Sequence, residues 1–195
     1  MPAAAGPAFY FDLFSPEAYL AAERVIQVLP VATEWIGVSA AGLPGSDTLE
    51  GFRCETDREA YFDRIARVAE RRGLQPLRWP QPFPCDSLFA MRAATYAKQI
   101  GRTVPFALAA FRQAFAGGRD LGAPDNVLIA AAACEMHPAA VLKGAGLRSI
   151  AARLDEATAL AARRGVRDVP AVWLPDGAVL HGDEALERAA AALRD

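Results

Sequence analysis

A chain of 195 residues with 53% hydrophobic and 23% charged content can bury a real core as one domain with a large insertion, which excludes a disordered polypeptide. The formal net charge of −2, with basic residues scattered or paired with acids, offers no general attraction to nucleic acid or to an anionic membrane surface. The three cysteines, Cys54, Cys85 and Cys134, stand far apart with no CxxC and no histidine at ligand spacing, which points to a reducing compartment and to no metal site.

Residues 1–7, MPAAAGP, read as a loose tail without the charged and apolar regions of a signal peptide, and no run reaches the roughly 18 apolar residues of a membrane span. The expectation is a soluble cytoplasmic protein. AFYFDL (8–13) is short, aromatic and bounded by breakers, as a buried strand is. Ser15-Pro16 then offers an N-cap and a proline at the first helical position, and Tyr19, Ala22, Ile26 and Leu29 follow at helical spacing. VATEWIGVSA (31–40) reads as a second strand whose parallel pairing with the first completes a βαβ unit.

TDREAYFDRIARVAERRG (56–73) opens with the capping-box pair Thr56 and Glu59, places Tyr61, Ile65, Val68 and Ala69 on one face, and stops at Gly73. After the proline-rich PLRWPQPFPCD, either Asp86 or Ser87 caps a helix that runs to about Gln99. Three further helical stretches are predicted over 104–117, 124–136 and 147–164, with His137-Pro138 as a helix stop. VPAVWL (169–174) and AVLH (178–181), joined through Asp176-Gly177, read as a hairpin before a last helix over 183–195. The order is βαβ, helical block, ββα. Residues 8–55 and 165–195 would form one domain and 56–164 an all-helical insertion.

That layout is the one of the α/β thioredoxin-like fold as elaborated in DsbA-like families, and particular residues sharpen it. FYFDLFSPEAYLA (9–21) resembles the opening of the 2-hydroxychromene-2-carboxylate isomerases and of the kappa-class glutathione transferases, where F-D-x-x-S-P-x-[AS]-Y stands on the first strand-to-helix turn. PFPCDSLFAMRA, AFRQAFAGGRDL and GVRDVPAVWL resemble the same families in order and spacing. The resemblance implies glutathione as cofactor, a small aromatic carboxylate as substrate, cis–trans isomerisation as the reaction and a homodimer as the assembly.

Redox members of the superfamily carry CxxC at this turn, where a helix N-terminus lowers a thiol pKa and the second cysteine resolves the mixed disulfide. Here the four positions read Ser15-Pro16-Glu17-Ala18, so dithiol–disulfide exchange at this turn is excluded. Taken alone, Ser15 is an N-cap worth about 1 kcal/mol. The resemblance implies a catalytic role, the hydroxyl donating a hydrogen bond to the glutathione sulfur while the helix N-terminus favours its thiolate.

It also implies that Val169-Pro170 is cis, with the Val169 backbone pairing with the cysteinyl part of the ligand; taken alone, the pair is a trans proline at a strand start. The turn Gly182-Asp183-Glu184-Ala185 departs from the relatives' approximate G-[SN]-D-R, which holds the γ-glutamyl carboxylate. Asp183 and Glu184 would repel that carboxylate unless they meet the ligand's ammonium, and Asp183 is also a good N-cap. His181 is either a compensating cation or a strand-end side chain.

Where the relatives have asparagine, a small or hydroxyl residue and a downstream arginine, this chain has Asp86, Ser87 and Arg92, the implied substrate contacts. Asp86 is alternatively a helix cap, and Arg92 either binds an acidic substrate or neutralises Asp86. Cys85 reads as a small buried hydrophobe rather than a reactive thiol. Trp35, Trp79, Trp173, Phe9, Phe11 and Phe83 line an aromatic cleft or belong to the core. Two rival readings remain beside the isomerase: a transferase of the same fold using another substrate or thiol, and a non-catalytic thioredoxin-fold binding protein.

Overall fold

The four side chains of Ala8–Phe11 (β1) are all buried, the continuous apolar run expected of a strand covered on both faces. The computed structural model describes residues 6–45, 52–182 and 184–194. Glu34–Gly37 (β2) runs parallel to β1, with Ala8 opposite Glu34 and Phe11 opposite Gly37. On the other side Ala171–Trp173 (β3) is antiparallel to β1, and Val179–His181 (β4) is antiparallel to β3. The sheet order is β2-β1-β3-β4, so the predicted βαβ and ββα units share one mixed sheet. Gly177, at φ 94°, makes the hairpin turn, and Asp176 Oδ1 accepts the Ala178 N–H at 2.9 Å.

The helix expected after Ser15 is two helices, Pro16–Ala22 (α1) and Val25–Val28 (α2). The break at Glu23-Arg24 changes the helical phase, so Val25 is buried and Ile26, expected on the inner face, is 67% exposed. A 3₁₀ turn at Ala40–Gly42 follows β2. The next elements are Glu55–Arg71 (α3), Leu88–Gln99 (α4), Thr103–Phe115 (α5), Pro124–Ala132 (α6), Pro138–Ala145 (α7) and Arg148–Arg163 (α8); Ala185–Ala192 (α9) follows the hairpin.

Two sequence expectations are corrected here. Helix α3 begins before Thr56, with Cys54 at its N-cap and no capping bond, so the Thr56–Glu59 box does not form. His137-Pro138 does not merely stop a helix: it starts α7, with Pro138 at its first position and His137 Nδ1 accepting the Ala139 N–H at 3.2 Å. The preceding helix ends at Ala132, and Glu135 takes φ 60°.

One face of the sheet carries Phe9 and Phe11 into a core shared with α1, α4, α5 and α9; Phe11 and Phe111 of α5 lie 5.9 Å apart between ring centroids. The other face packs Tyr10, Ile36 and Ala171 against Ala161 of α8. Phe9, Phe11 and Trp35 are therefore core residues, with Trp35 meeting Phe9 edge-on at 5.0 Å. Trp173 lies under the Arg164 guanidinium, 4.1 Å from its centroid.

Candidate active site

After β1 the chain turns sharply, the Ser15 N–H donating to the Asp12 carbonyl at 3.2 Å. Ser15 sits at φ −85°, ψ 115°, extended as an N-cap must be, and its Oγ accepts the Ala18 N–H at 3.1 Å. The cap is only 4% exposed. Opposite it the loop before β3 brings in Asp168 and Val169-Pro170, whose peptide bond is cis. Ser15, Glu17, Asp168, Val169, Pro170 and His181 line one cavity of about 400 Å³, with Tyr61 and Arg64 of α3 closing a further side.

Charge in this cavity is partly compensated from within. Glu17 accepts the Tyr61 hydroxyl at 2.9 Å and the Arg64 guanidinium at 3.0 Å, whereas the Ser15 hydroxyl reaches Glu17 only at 3.5 Å. Burial, reinforced by the Glu17 charge, holds the Tyr61 hydroxyl above its ordinary range. Asp168 Oδ1 accepts the Val169 N–H at 2.7 Å, and burial raises the Asp168 carboxyl, with Glu17 adding to the rise. His181 Nε2 accepts the Arg167 N–H at 3.1 Å, and burial lowers its pKa. A ring nitrogen that accepts a hydrogen bond is unprotonated, so of the two roles left open for His181 the geometry provides the strand-end acceptor and not the cation.

The chain matches the DSBA-like thioredoxin domain family over residues 8–194. It belongs to that family. No curated protein sequence matches the chain. Among solved structures it is similar to a 2-hydroxychromene-2-carboxylate isomerase, at TM-score 0.79 and 20% identity, covering 96% of this chain and 94% of that one. A probable DsbA oxidoreductase from Streptomyces coelicolor superposes at 0.75 with 20% identity, over 96% of this chain and 87% of that one. The cytosolic disulfide reductase DsbM from Pseudomonas aeruginosa, solved with GSH, superposes at 0.67 with 15% identity over 97% of both chains.

In this DsbA-like domain the remaining candidates scatter. Asp86, Ser87 and Cys85 line a second cavity of about 350 Å³ with Asp12 and Ser39, separated from the first by Phe14, which lines both. Asp86 Oδ1 accepts the Leu88 N–H at 2.9 Å, so Asp86 supplies the side-chain cap of α4 although Ser87 holds the N-cap position. Burial pushes the Cys85 thiol up to about 11, in keeping with a buried hydrophobe. Arg92 lines neither cavity and, among the described residues, makes no ion pair with Asp86; its Nε is buried without a partner.

Glu184 is exposed at the N-cap of α9, beside Arg72 and Arg188, and does not line the Ser15 cavity. Asp183 lies outside the described residues. Sequence reasoning missed Glu17, Tyr61, Arg64 and Asp168 as cavity residues. The available signals were the acid inside the Ser-Pro-Glu-Ala turn and the one-turn spacing of Tyr61 and Arg64 on α3. Trp79 and Phe83 join an aromatic cluster with Tyr61 and Phe62, in which Phe62 and Trp79 stack at 3.8 Å. No helix among the described residues is long and apolar enough to cross a membrane.

Proposed function

We propose that this chain is a glutathione-dependent cis–trans isomerase acting on a 2-hydroxychromene-2-carboxylate-like aromatic acid. The observation that carries the proposal is the placement of the Ser15 hydroxyl opposite cis-Val169-Pro170 on one cavity, at a turn with no sulfur in it. The likeness to the isomerase structure and the GSH complex of a neighbour of the same fold support it.

The donor set suits a thiol that carries a carboxylate. The Glu17 N–H, at the second position of α1, has no intrahelical acceptor, and among the described residues the Ser15 hydroxyl hydrogen has only the long contact to Glu17. Arg64 supplies a cation for a carboxylate. A volume of about 400 Å³ falls within the 300–1,000 Å³ usual for small-ligand sites.

Bound glutathione supplies a thiolate able to add reversibly to a conjugated acid. Ser15 donates its hydroxyl hydrogen toward the sulfur position and so favours the charged form; the Val169 carbonyl and Pro170 would position the cysteinyl segment. Beyond Phe14, Ser87 and Asp86 would receive the hydroxyl of the aromatic substrate, and the homodimer implied by the resemblance is part of the same proposal. Glu184 takes no role in it.

Calorimetric titration with reduced glutathione tests this reading. Wild type should bind, and Ser15→Ala and the blocked thiol S-methylglutathione should each weaken binding, while Ser15→Ala stays within about 1–2 kcal/mol of wild-type stability. With chromene carboxylate as substrate, loss of the donor should lower turnover about 100-fold or more. Undiminished turnover in Ser15→Ala would refute it. The acidic wall formed by Glu17 and Asp168 favours a second reading, a transferase using a more cationic thiol; it predicts binding of aminothiols where glutathione fails.

A further inference from the structure

Three main-chain groups of the loop entering β3 are satisfied from within the protein. The Arg167 N–H donates to His181 Nε2 at 3.1 Å, and the Arg167 carbonyl accepts the Gly45 N–H at 2.7 Å. Pro170 has no N–H, so the donor on its upstream side belongs to Val169, and that N–H donates to Asp168 Oδ1 at 2.7 Å. Val169 is only 6% exposed and lines the Ser15 cavity, as Asp168 does.

We infer that Asp168 is a specificity-determining residue whose carboxylate masks the Val169 amide, leaving a ligand's cysteinyl carbonyl no donor at this edge and biasing the cavity toward small thiols and against extended polypeptides. The inference rests on the reading of the cavity as a thiol site. A carboxylate is a stronger acceptor than a neutral carbonyl, and one placed on the adjacent residue competes without any cost of association. Glu17 is not available to take its place, because both its oxygens are engaged by Tyr61 and Arg64. Among the described residues no ion pair draws Asp168 elsewhere. An extended peptide adding to a strand edge uses alternate N–H and C=O groups, and here the N–H is spent.

The test compares glutathione with γ-glutamylcysteamine, which keeps the thiol and the amide N–H but lacks the cysteinyl carbonyl. Asp168→Ala should tighten glutathione roughly two- to tenfold, the range of one hydrogen bond regained, and leave γ-glutamylcysteamine unchanged. Asp168→Asn, which keeps the acceptor oxygen without its charge, should fall between wild type and Asp168→Ala. Equal tightening in both variants would assign the effect to charge, and an unchanged glutathione affinity in Asp168→Ala would likewise overturn the mask.

Amide hydrogen exchange gives a readout that needs no ligand. The Val169 N–H should be protected in wild type and exchange at least tenfold faster in Asp168→Ala, while the Arg167 N–H, held by His181, keeps its protection. If glutathione binds no variant, the glutathione reading fails, and the mask is decided by this exchange alone: faster exchange at Val169 sustains it and unchanged exchange overturns it.

Discussion

The carboxylate of Asp12, 2% exposed at the end of β1, accepts the Ala40 amide at 2.9 Å and so ties β1 to the 3₁₀ turn that follows β2. Burial raises its pKa from 3.8 to about 6, in spite of donors at Ala40, Ser87, Phe14 and Leu13 that pull it down. Between those values the native state holds a proton that the unfolded chain has released. Stability at this group is therefore greatest below about pH 4, falls as pH rises toward 6 and is level above that. The loss is on the order of 3 kcal/mol. Urea unfolding of wild type and Asp12→Asn from pH 4 to 7 checks it: the variant should lack this component of the slope, and parallel profiles would remove Asp12 as its source.

The three thiols should separate by burial. Cys54 is exposed, whereas Cys85 and Cys134 are buried and burial raises both, Cys85 to about 11. Because the thiolate is the reactive form, iodoacetamide at pH 7.5 should modify Cys54 first and the other two only under unfolding conditions. Mass spectrometry of the labelled peptides reads this out. Labelling of Cys85 at a rate comparable to Cys54 would reopen a reactive role for it.

Much of the frame could be read from local chemistry. Ser15-Pro16 marks the start of α1 and Asp176-Gly177 the hairpin, because a cap and a positive-φ turn each demand particular residues within two or three positions. The same grammar misled at His137-Pro138, where an imidazole nitrogen serves as the cap acceptor in place of a hydroxyl. Thr56–Glu59 has a capping-box sequence, yet the backbone is already helical at Glu55, so the Glu59 N–H that Thr56 would cap falls inside the helix. The cavity was legible at Ser15, Val169-Pro170 and His181. Tyr61 and Arg64 reach Glu17 from 44 and 47 residues away, a pairing made by the packing of α3 on α1 that no local pattern encodes.

Glu17 should control the charge state of its neighbour across the cavity. Its carboxylate raises the pKa of Asp168, second to burial among the influences that do so. Glu17→Gln should therefore lower the Asp168 pKa toward, though not to, the ordinary carboxylate range, read by ¹³C NMR of the Asp168 carboxyl against pH. The Arg64–Glu17 pair lies near the surface, with side chains 56% and 34% exposed, so the variant should cost under about 1 kcal/mol of stability. An Asp168 titration that does not move would place the two carboxylates electrostatically apart.

Gly144 offers a test of packing in the helical block. It lies on α7 facing α4, and a Cβ there would stand 2.5 Å from Cδ2 of Tyr96, with two more ring carbons at 2.7 Å. In an exposed helix interior Gly→Ala stabilises by about 1 kcal/mol, because glycine gives up more backbone freedom on folding. Overpacking costs about 1–3 kcal/mol, and an aromatic ring wedged between two helices cannot swing aside as the end of a flexible chain can. The clash should win, making Gly144→Ala less stable than wild type. Combining it with Tyr96→Ala should then cost less than the sum of the two single changes, since the added methyl occupies space the ring has vacated. Urea unfolding of the four proteins measures both terms, and a stabilised Gly144→Ala would mean that α7 sits further from α4 than this interface allows.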